Sequence, residues 1–467
     1  MRIKPKDIEI DANLPKYPFD NDLLDREEEI INLTDIIQNV EAPLVLAVNA
    51  PWGTGKSTFI RLWRAYLEQQ NLDFIWFNAW ETDFAEDPLI ALISKLDKWV
   101  TNNGKSQNEK WDKFKKDILP KILKRSLITG AKVATVGVLD MEKDYEKIIA
   151  DFSGDITGDL IDKFNEKSQA ITQFKEVIKK VLENLPSDQK NLIIFIDELD
   201  RCRPTYAIEL LERIKHLFDI ERLVFILSTD TEQLSHSICA VYGNNFDAKK
   251  YLNRFIDLDY SLKEPDLKKY IEGLFKGLLV HNYFSQRKNG KDSQQLLETY
   301  VFVIAKRFNF RLRDVNLLVT RLTLILSSIP PNYYIYEPLL VILITLRENN
   351  KDLYKQYKIN SKVTNKVIDF IIEESDFSSK ESSEYFGYNL SILCETIFYL
   401  IACVGDLKQR EELVEQYEEK LGKNQYFIGT LKEKIDSLTT RFDYNVSLKT
   451  LKYVTERIEL LHKINII

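Results

Sequence analysis

The chain is poor in the residues that build disulfide frameworks and zinc sites, and its acidic residues outnumber its basic residues by 72 to 65. It has four cysteines and four histidines in 467 residues, and no two cysteines form a C-x-x-C pair. We therefore expect neither a zinc site nor a disulfide framework, and we expect reduced thiols in a cytoplasmic protein. The formal net charge of −7 argues against a generally basic surface for nucleic acid, although a local basic patch stays open.

Long apolar runs are also missing. The most apolar stretch, Leu127 to Leu139, is shorter than the roughly 20 residues that a spanning helix needs, and Lys132 interrupts it. We predict a buried or interfacial helix there. The alternative is a helix that lies on a membrane surface and is held by flanking basic residues. Because the segment is short and carries Lys132, we do not expect a membrane-spanning protein, and the N-terminal residues lack the apolar core of a signal peptide.

What is present is the composition of an ordinary globular protein. Hydrophobic residues make up 44% of the chain and charged residues 29%, while only 15 residues are glycine. Scarce glycine favours helices over loops, and the length allows two or three domains.

The segment Ala50 to Ser57, APWGTGKS, has the pattern of a phosphate-binding P-loop (Walker A). It lies between a strand candidate, Leu44 to Val48, and a helix candidate, Ser57 to Gln69, which is the context that this motif requires. Lys56 would reach the β- and γ-phosphates of a nucleotide, and the Ser57 hydroxyl would bind Mg²⁺. The predicted nucleotide-binding residues are Pro51, Trp52, Gly53, Thr54, Gly55, Lys56, Ser57 and Thr58. Ala50 stands where the consensus has glycine, so the loop must begin in an ordinary backbone conformation.

A second segment carries paired carboxylates at the end of an apolar run. Leu192 to Ile196 suits a strand that is buried on both faces of a parallel sheet, and Asp197 and Glu198 follow it. In a Walker B arrangement the first acid, Asp197, holds Mg²⁺ and the second, Glu198, polarises the attacking water. The alternative is a strand that ends in solvated acids.

These residues resemble the KAP family of P-loop NTPases. The resemblance rests on five motifs in order: Ala50-Pro51-Trp52-Gly53, Trp76-Phe77-Asn78-Ala79-Trp80-Glu81, Asp197-Glu198-Leu199-Asp200-Arg201-Cys202 with Pro204, Val224 to Asp230, and Tyr251-Leu252-Asn253-Arg254-Phe255. It extends from about Asp20 to about Leu262, with Arg254 where the family usually has lysine. The resemblance implies a bacterial setting in phage exclusion and defence. Members of the family commonly carry transmembrane helices between the second and third strands. The segment Leu127 to Leu139, which lies at that position, is too short to match them.

The order of elements predicts the architecture. Strands at Leu44 to Val48, Phe74 to Asn78, Leu192 to Ile196 and Leu223 to Ser228, with a fifth around Phe255 to Leu258, alternate with helical patterns. This alternation predicts an α/β fold: a parallel-sheet P-loop NTPase core with a helical insertion and a helical C-terminal domain. The predicted parts are a lead-in and helix over 1–43, the core over 44–86 and 190–262, the insertion over 87–189, and the C-terminal domain over 263–467. The first helix is expected to open at Leu24.

Several other residues are candidates for contacts with the nucleotide. Arg26 either contacts adenine or is a solvated charge at a helix start. Thr229 and Asp230, at the end of the strand beside the Walker B strand, can sense the γ-phosphate or the water. The candidate arginine fingers are Arg201, Arg203, Arg213, Arg254, Arg311 and Arg313. Arg254 fits best, because the resembled family supplies a cation there, whereas Arg201 follows the acids immediately and has pairing with Asp200 as its alternative role.

The function predicted from these residues is a Mg²⁺-dependent ATPase that acts as a conformational switch, with Glu198, Lys56 and Arg254 as catalytic residues. An ATP-bound scaffold without significant hydrolysis and a nucleic-acid-stimulated ATPase are the alternatives. We also expect a protein partner or effector at the helical domains and an ATP-dependent homo-oligomer.

Overall fold

The structure is a computed structural model that describes residues 17–102, 109–123, 156–372, 396–421 and 448–462, apart from single positions at 21, 86, 184, 187, 289, 334, 402, 405 and 406. The predicted helix at Leu127 to Leu139 lies outside the described residues. The chain divides into two compact units, which meet in sequence between Glu264 and Pro265.

A parallel sheet forms the centre of the first unit. Among the described residues its strands are β1 (Leu44–Asn49), β2 (Phe74–Asn78), β3 (Leu192–Asp197), β4 (Leu223–Thr229) and β5 (Leu258–Ser261). The order across the sheet is β2-β3-β4-β1-β5, and every neighbouring pair is parallel. Every residue of β3 and β4 is buried, as expected for inner strands that helices cover on both faces. The predicted α/β class is therefore confirmed.

The helices of this unit connect the strands and extend the core. They are α1 (Glu27–Asn39), α2 (Lys56–Gln69), α3 (Pro88–Asn102), α4 (Glu109–Lys113), α5 (Leu119–Leu123), α6 (Ile156–Leu182), α7 (Pro204–Leu217), α8 (Thr231–Tyr242) and α9 (Ala248–Leu252), with a π-helical turn at Phe114–Ile118. Aromatic rings join the insertion to the sheet. Phe174 of α6 has its ring centroid 5.2 Å from Phe114 and 5.2 Å from Phe218, and Phe218 lies 5.7 Å from Phe225 of β4. The described helices of the insertion thus share one apolar core with the sheet.

Two predicted boundaries were wrong by three residues. The fifth strand begins at Leu258 instead of Phe255, because the amide of Phe255 donates to the carbonyl of Leu252 and continues the turn after α9. Phe255 is instead buried against Tyr251, with their ring centroids 4.9 Å apart. The first helix begins at Glu27 instead of Leu24, because the Asp22 carboxylate accepts the backbone amide of Leu24 at 2.9 Å and fixes a turn before it.

The second unit is helical. Its described helices are α10 (Leu267–Gly277), α11 (His281–Phe284), α12 (Gly290–Arg307), α13 (Leu312–Ser327), α14 (Glu337–Asn349), α15 (Lys351–Ile359), α16 (Thr364–Ile371), α17 (Leu407–Leu421) and α18 (Leu448–His462). The apolar helix α14 is almost wholly buried, and its Glu337 carboxylate accepts the Ser293 hydroxyl at 2.7 Å. Within the described ranges, none of the helices combines the length and the apolar character that crossing a bilayer requires.

Candidate nucleotide site

The loop between β1 and α2 depends on two glycines. Gly53 has φ +81° and Gly55 has φ +99°, in the left-handed region that side-chain-bearing residues rarely adopt. Gly55 also immediately precedes the first turn of α2, where backbone amides have no acceptor within the helix. The Thr54 hydroxyl donates to the Pro51 carbonyl at 2.7 Å and closes the loop on itself. A loop of backbone amides at a helix N-terminus is suited to bind phosphate.

Lys56 is the cation of this loop, and the charges of nearby acidic residues act on it. Its Nζ donates to the carbonyl of Ala50 at the start of the loop. Burial lowers the pKa of Lys56, while the negative charges of Asp200, Asp230 and Asp197 act to raise it. The charges of three carboxylates that lie at or shortly after the ends of β3 and β4 therefore act on one lysine.

Asp197 ends β3 and is only 7% exposed. Burial raises the pKa of Asp197, and its Oδ1 accepts the backbone amide of Glu198 at 3.0 Å. A buried carboxylate and the Ser57 hydroxyl are both hard oxygen ligands and fit Mg²⁺, which proteins usually hold through one or two carboxylates together with substrate phosphates. The described part of the chain contains no cluster of three acidic, histidine or cysteine ligands that would form a separate metal site.

Glu198 has an unusual backbone and two side-chain partners. Its φ of +59° is rare for a residue other than glycine, and such outliers concentrate at functional sites. Its Oε1 lies 3.0 Å from Arg201 Nη1, and its Oε2 accepts Asn78 Nδ2 at 3.4 Å. The predicted pairing of Arg201 with Asp200 was therefore wrong, because the 3₁₀ turn at Leu199–Arg201 brings Arg201 back to Glu198.

Asp200 instead joins the loop to the sheet. Its Oδ2 accepts the indole N–H of Trp52, and its Oδ1 accepts the Thr229 hydroxyl at 3.4 Å. The residue is 7% exposed. Sequence reasoning missed this contact and the contact between Asn78 and Glu198, although both tryptophan and asparagine stood in motifs that it quoted.

Thr229 and Asp230 lie at the end of β4, next to β3. Thr229 is fully buried, and the Asp230 carboxylate caps α8 by accepting the amide of Gln233 at 3.2 Å. The structure places both beside the acids that end β3, and their sensing role stays a prediction.

Arg26 is 1% exposed and pairs with Glu29, with Nη1 and Oε2 2.6 Å apart. The interpretation of Arg26 as a solvated charge at a helix start was therefore wrong. Glu29 also accepts the Tyr260 hydroxyl at 2.7 Å, which ties α1 to β5. A contact of Arg26 with adenine stays a prediction.

The other candidate arginines lie in different settings. Arg203 pairs with Asp83 at 3.0 Å, and Arg213 pairs with Asp87 at 3.1 Å. Arg254 is exposed in the turn after α9. The two arginines of the second unit, Arg311 and Arg313, stand at the start of α13 and are exposed. The predicted catalytic role of Arg254 stays a prediction.

Two comparisons with known proteins bear on this site. The family model described as the KAP family P-loop domain matches residues 26–329. The Phage T7 exclusion protein of Escherichia coli (strain K12) is 20% identical over 268 residues, which cover 55% of this chain and 35% of that protein. The matched region thus spans about a third of the length of that relative.

Proposed function

Because the chain belongs to the KAP family of P-loop domains, we propose that it is a Mg²⁺-dependent ATPase whose nucleotide cycle drives a conformational switch. The observation that carries the proposal is that Lys56, which follows β1, and Asp197 and Glu198, at the end of β3, lie at the carboxyl edge of one parallel sheet, where the charge of Asp197 acts on Lys56. Parallel sheets present their ligands at this edge.

Each residue of the site has a distinct task in the proposed reaction. Lys56 and the loop amides neutralise charge on the β- and γ-phosphates, and Ser57 and Asp197 hold Mg²⁺. Held by these two residues, Mg²⁺ would offset the negative charge that develops in phosphoryl transfer. Glu198 accepts a hydrogen bond from the attacking water and orients it in line with the bond to the leaving group.

We further propose a role in defence against phage. The support is the printed name of the relative, a phage exclusion protein, together with family membership. That relative is much longer than the matched region, so we do not name a specific trigger or effector. We propose that the trigger is a phage-derived signal and that the effector is a protein that binds the helical parts.

Binding of ATP to wild-type protein and to two lysine variants tests the proposed site. Lys56→Ala removes the cation of the loop, and we expect it to abolish tight binding of MgATP in isothermal titration calorimetry. Lys98→Ala changes an exposed lysine of α3 and serves as the matched control, with wild-type affinity expected. Equal affinity of wild type and Lys56→Ala would show that the nucleotide does not bind at this loop.

A further inference from the structure

Each oxygen of the Glu198 carboxylate, which we propose orients the water, contacts one nitrogen donor. Glu198 Oε1 is 3.0 Å from Arg201 Nη1, and Oε2 accepts Asn78 Nδ2 at 3.4 Å. A carboxylate that directs a water molecule must offer it a lone pair in the direction of the phosphate. Each oxygen keeps a second acceptor position, but the guanidinium of Arg201 offsets the negative charge with which Glu198 would attract the water, so release of Arg201 would make Glu198 a stronger acceptor.

The contact with Asn78 is fixed by its surroundings. Asn78 ends β2, is 8% exposed and lies opposite Asp197 in the register of β2 and β3. Its Oδ1 accepts the backbone amide of Glu81 at 3.2 Å, which leaves the amide nitrogen facing Glu198. Asn78 is therefore a fixed donor that holds one oxygen of Glu198 in place.

The contact with Arg201 is of a different kind. The Arg201 side chain is 42% exposed, and its guanidinium lies 5.8 Å from the centre of the exposed Trp80 ring. An ion pair with one solvent-exposed partner contributes little to stability, so its loss costs little. Arg201 also lies within electrostatic reach of the loop, because its positive charge acts to lower the pKa of Lys56.

We infer that Arg201 exchanges Glu198 for the γ-phosphate of ATP within the same chain, so that Glu198 becomes a stronger acceptor for the attacking water only when a triphosphate is bound. This inference rests on the proposed ATP site and assigns its regulation. Guanidinium binds carboxylate and phosphate oxygens with the same planar set of donors, so both partners suit it. ADP lacks the γ-phosphate and leaves the pair of Arg201 and Glu198 in place.

A double-mutant cycle on nucleotide affinity tests the exchange. The probes are a non-hydrolysable ATP analogue and ADP, each with Mg²⁺. Glu198→Gln removes the charge that competes for Arg201, and we expect it to raise affinity for the analogue about two- to five-fold. Arg201→Ala should lower that affinity by about ten-fold or more, since a charge-assisted hydrogen bond to phosphate is lost. In the Arg201→Ala background, Glu198→Gln should have no effect, and neither change should alter affinity for ADP.

Two further variants serve as controls for the double-mutant cycle. Arg203→Ala removes a neighbouring exposed arginine that pairs with Asp83, and it should leave the effect of Glu198→Gln intact. Arg201→Lys keeps the positive charge without the planar fork and should recover part of the lost affinity.

An equal effect of Glu198→Gln with and without Arg201 would overturn the exchange and point to general repulsion between Glu198 and the γ-phosphate. An effect of the same size on ADP affinity would overturn it as well. Failure of the proposed function is distinguishable, because it appears as unchanged ATP affinity in Lys56→Ala.

Discussion

At the residue scale, the site brings buried charges together in an arrangement that a bound metal and phosphate would complete. Burial acts against the charge of both Lys56 and Asp197: it lowers the pKa of the first and raises the pKa of the second. A buried charge without full compensation costs stability, and proteins retain such groups mainly where function needs them. MgATP would supply an anion for Lys56 and a cation for Asp197.

The pKa of Asp197 gives a prediction for stability. Since the pKa is raised above 3.8, the folded chain binds this proton more tightly than the unfolded chain. The protonated carboxyl contributes its full stability below pH 3.8, and this contribution is lost as the pH rises through the raised pKa. Asp197→Asn removes the ionisation, so without Mg²⁺ and nucleotide we expect a higher melting temperature than wild type, with a larger difference at pH 7.5 than at pH 5. A variant that melts below wild type at pH 7.5 would contradict this account. Asp197→Asn should also lose Mg²⁺-dependent turnover, because it removes a proposed ligand of the metal.

Asp200 gives a second residue-scale prediction, because it holds Trp52 of the loop and Thr229 of β4 together. Asp200→Ala leaves the indole N–H and the hydroxyl without this acceptor. We expect the free energy of unfolding of the first unit to fall by about 1.5–3 kcal/mol, as for hydrogen bonds to a charged group. We also expect the KM for ATP to rise.

Asp200→Asn is the matched control, because it keeps an acceptor oxygen of the same size. It should lose less stability than the alanine variant in urea unfolding. Equal losses in the two variants would show that the charge of Asp200 matters and its hydrogen bonds do not.

At the element scale, the strand cores were predictable and the contacts between strands were not. Apolar runs marked β1 to β4 to within one residue, because inner parallel strands are continuously apolar. The exposed edge strand β5 has no such run, and sequence reasoning placed it at Phe255, which packs in the core after α9. The order β2-β3-β4-β1-β5 and the register decide that Asn78 meets Glu198, and no local pattern in the sequence carries that information.

The loop glycines yield a prediction at the same scale. Gly55→Ala places a side chain at φ +99°, which costs about 1–2 kcal/mol for a residue with a Cβ. We expect weaker binding of MgATP, by roughly 5- to 30-fold if the strain falls on the nucleotide-bound loop.

Gly277→Ala is a control with the same chemical change. An added Cβ there meets nothing within 4 Å, and Gly277 ends the helix α10. ATP affinity should be unchanged, and stability should be unchanged or higher. Unaltered MgATP affinity in Gly55→Ala would contradict the assigned role of the left-handed backbone in this loop.

At the scale of the whole molecule, the chain pairs a nucleotide-binding sheet with a separate helical unit that begins at Pro265. A switch of the proposed kind requires that a partner bind the ATP state and the ADP state with different affinities. The hydrolysis cycle supplies that difference only if the site distinguishes ATP from ADP, which is the task that we assign to Arg201.

The exposed Arg254 leads to a prediction about assembly. We propose that ATP promotes self-association and that Arg254 completes the site of a neighbouring copy, so Arg254→Ala should lower turnover by about 10³-fold or more while sparing nucleotide affinity. Mixing Arg254→Ala with Lys56→Ala protein should then restore turnover, because each copy supplies the part that the other lacks. No restoration, with both variants monomeric by light scattering in ATP, would reject the shared site.

The central claim is that Glu198 orients the attacking water in an ATPase site that Lys56 and Asp197 complete. Its most direct test is the rate of phosphate release from MgATP by wild type and by Glu198→Gln, under saturating nucleotide. We predict measurable turnover by wild type and a rate at least about 10²-fold lower in Glu198→Gln, with binding of the ATP analogue retained. Equal rates in the two proteins would contradict the claim.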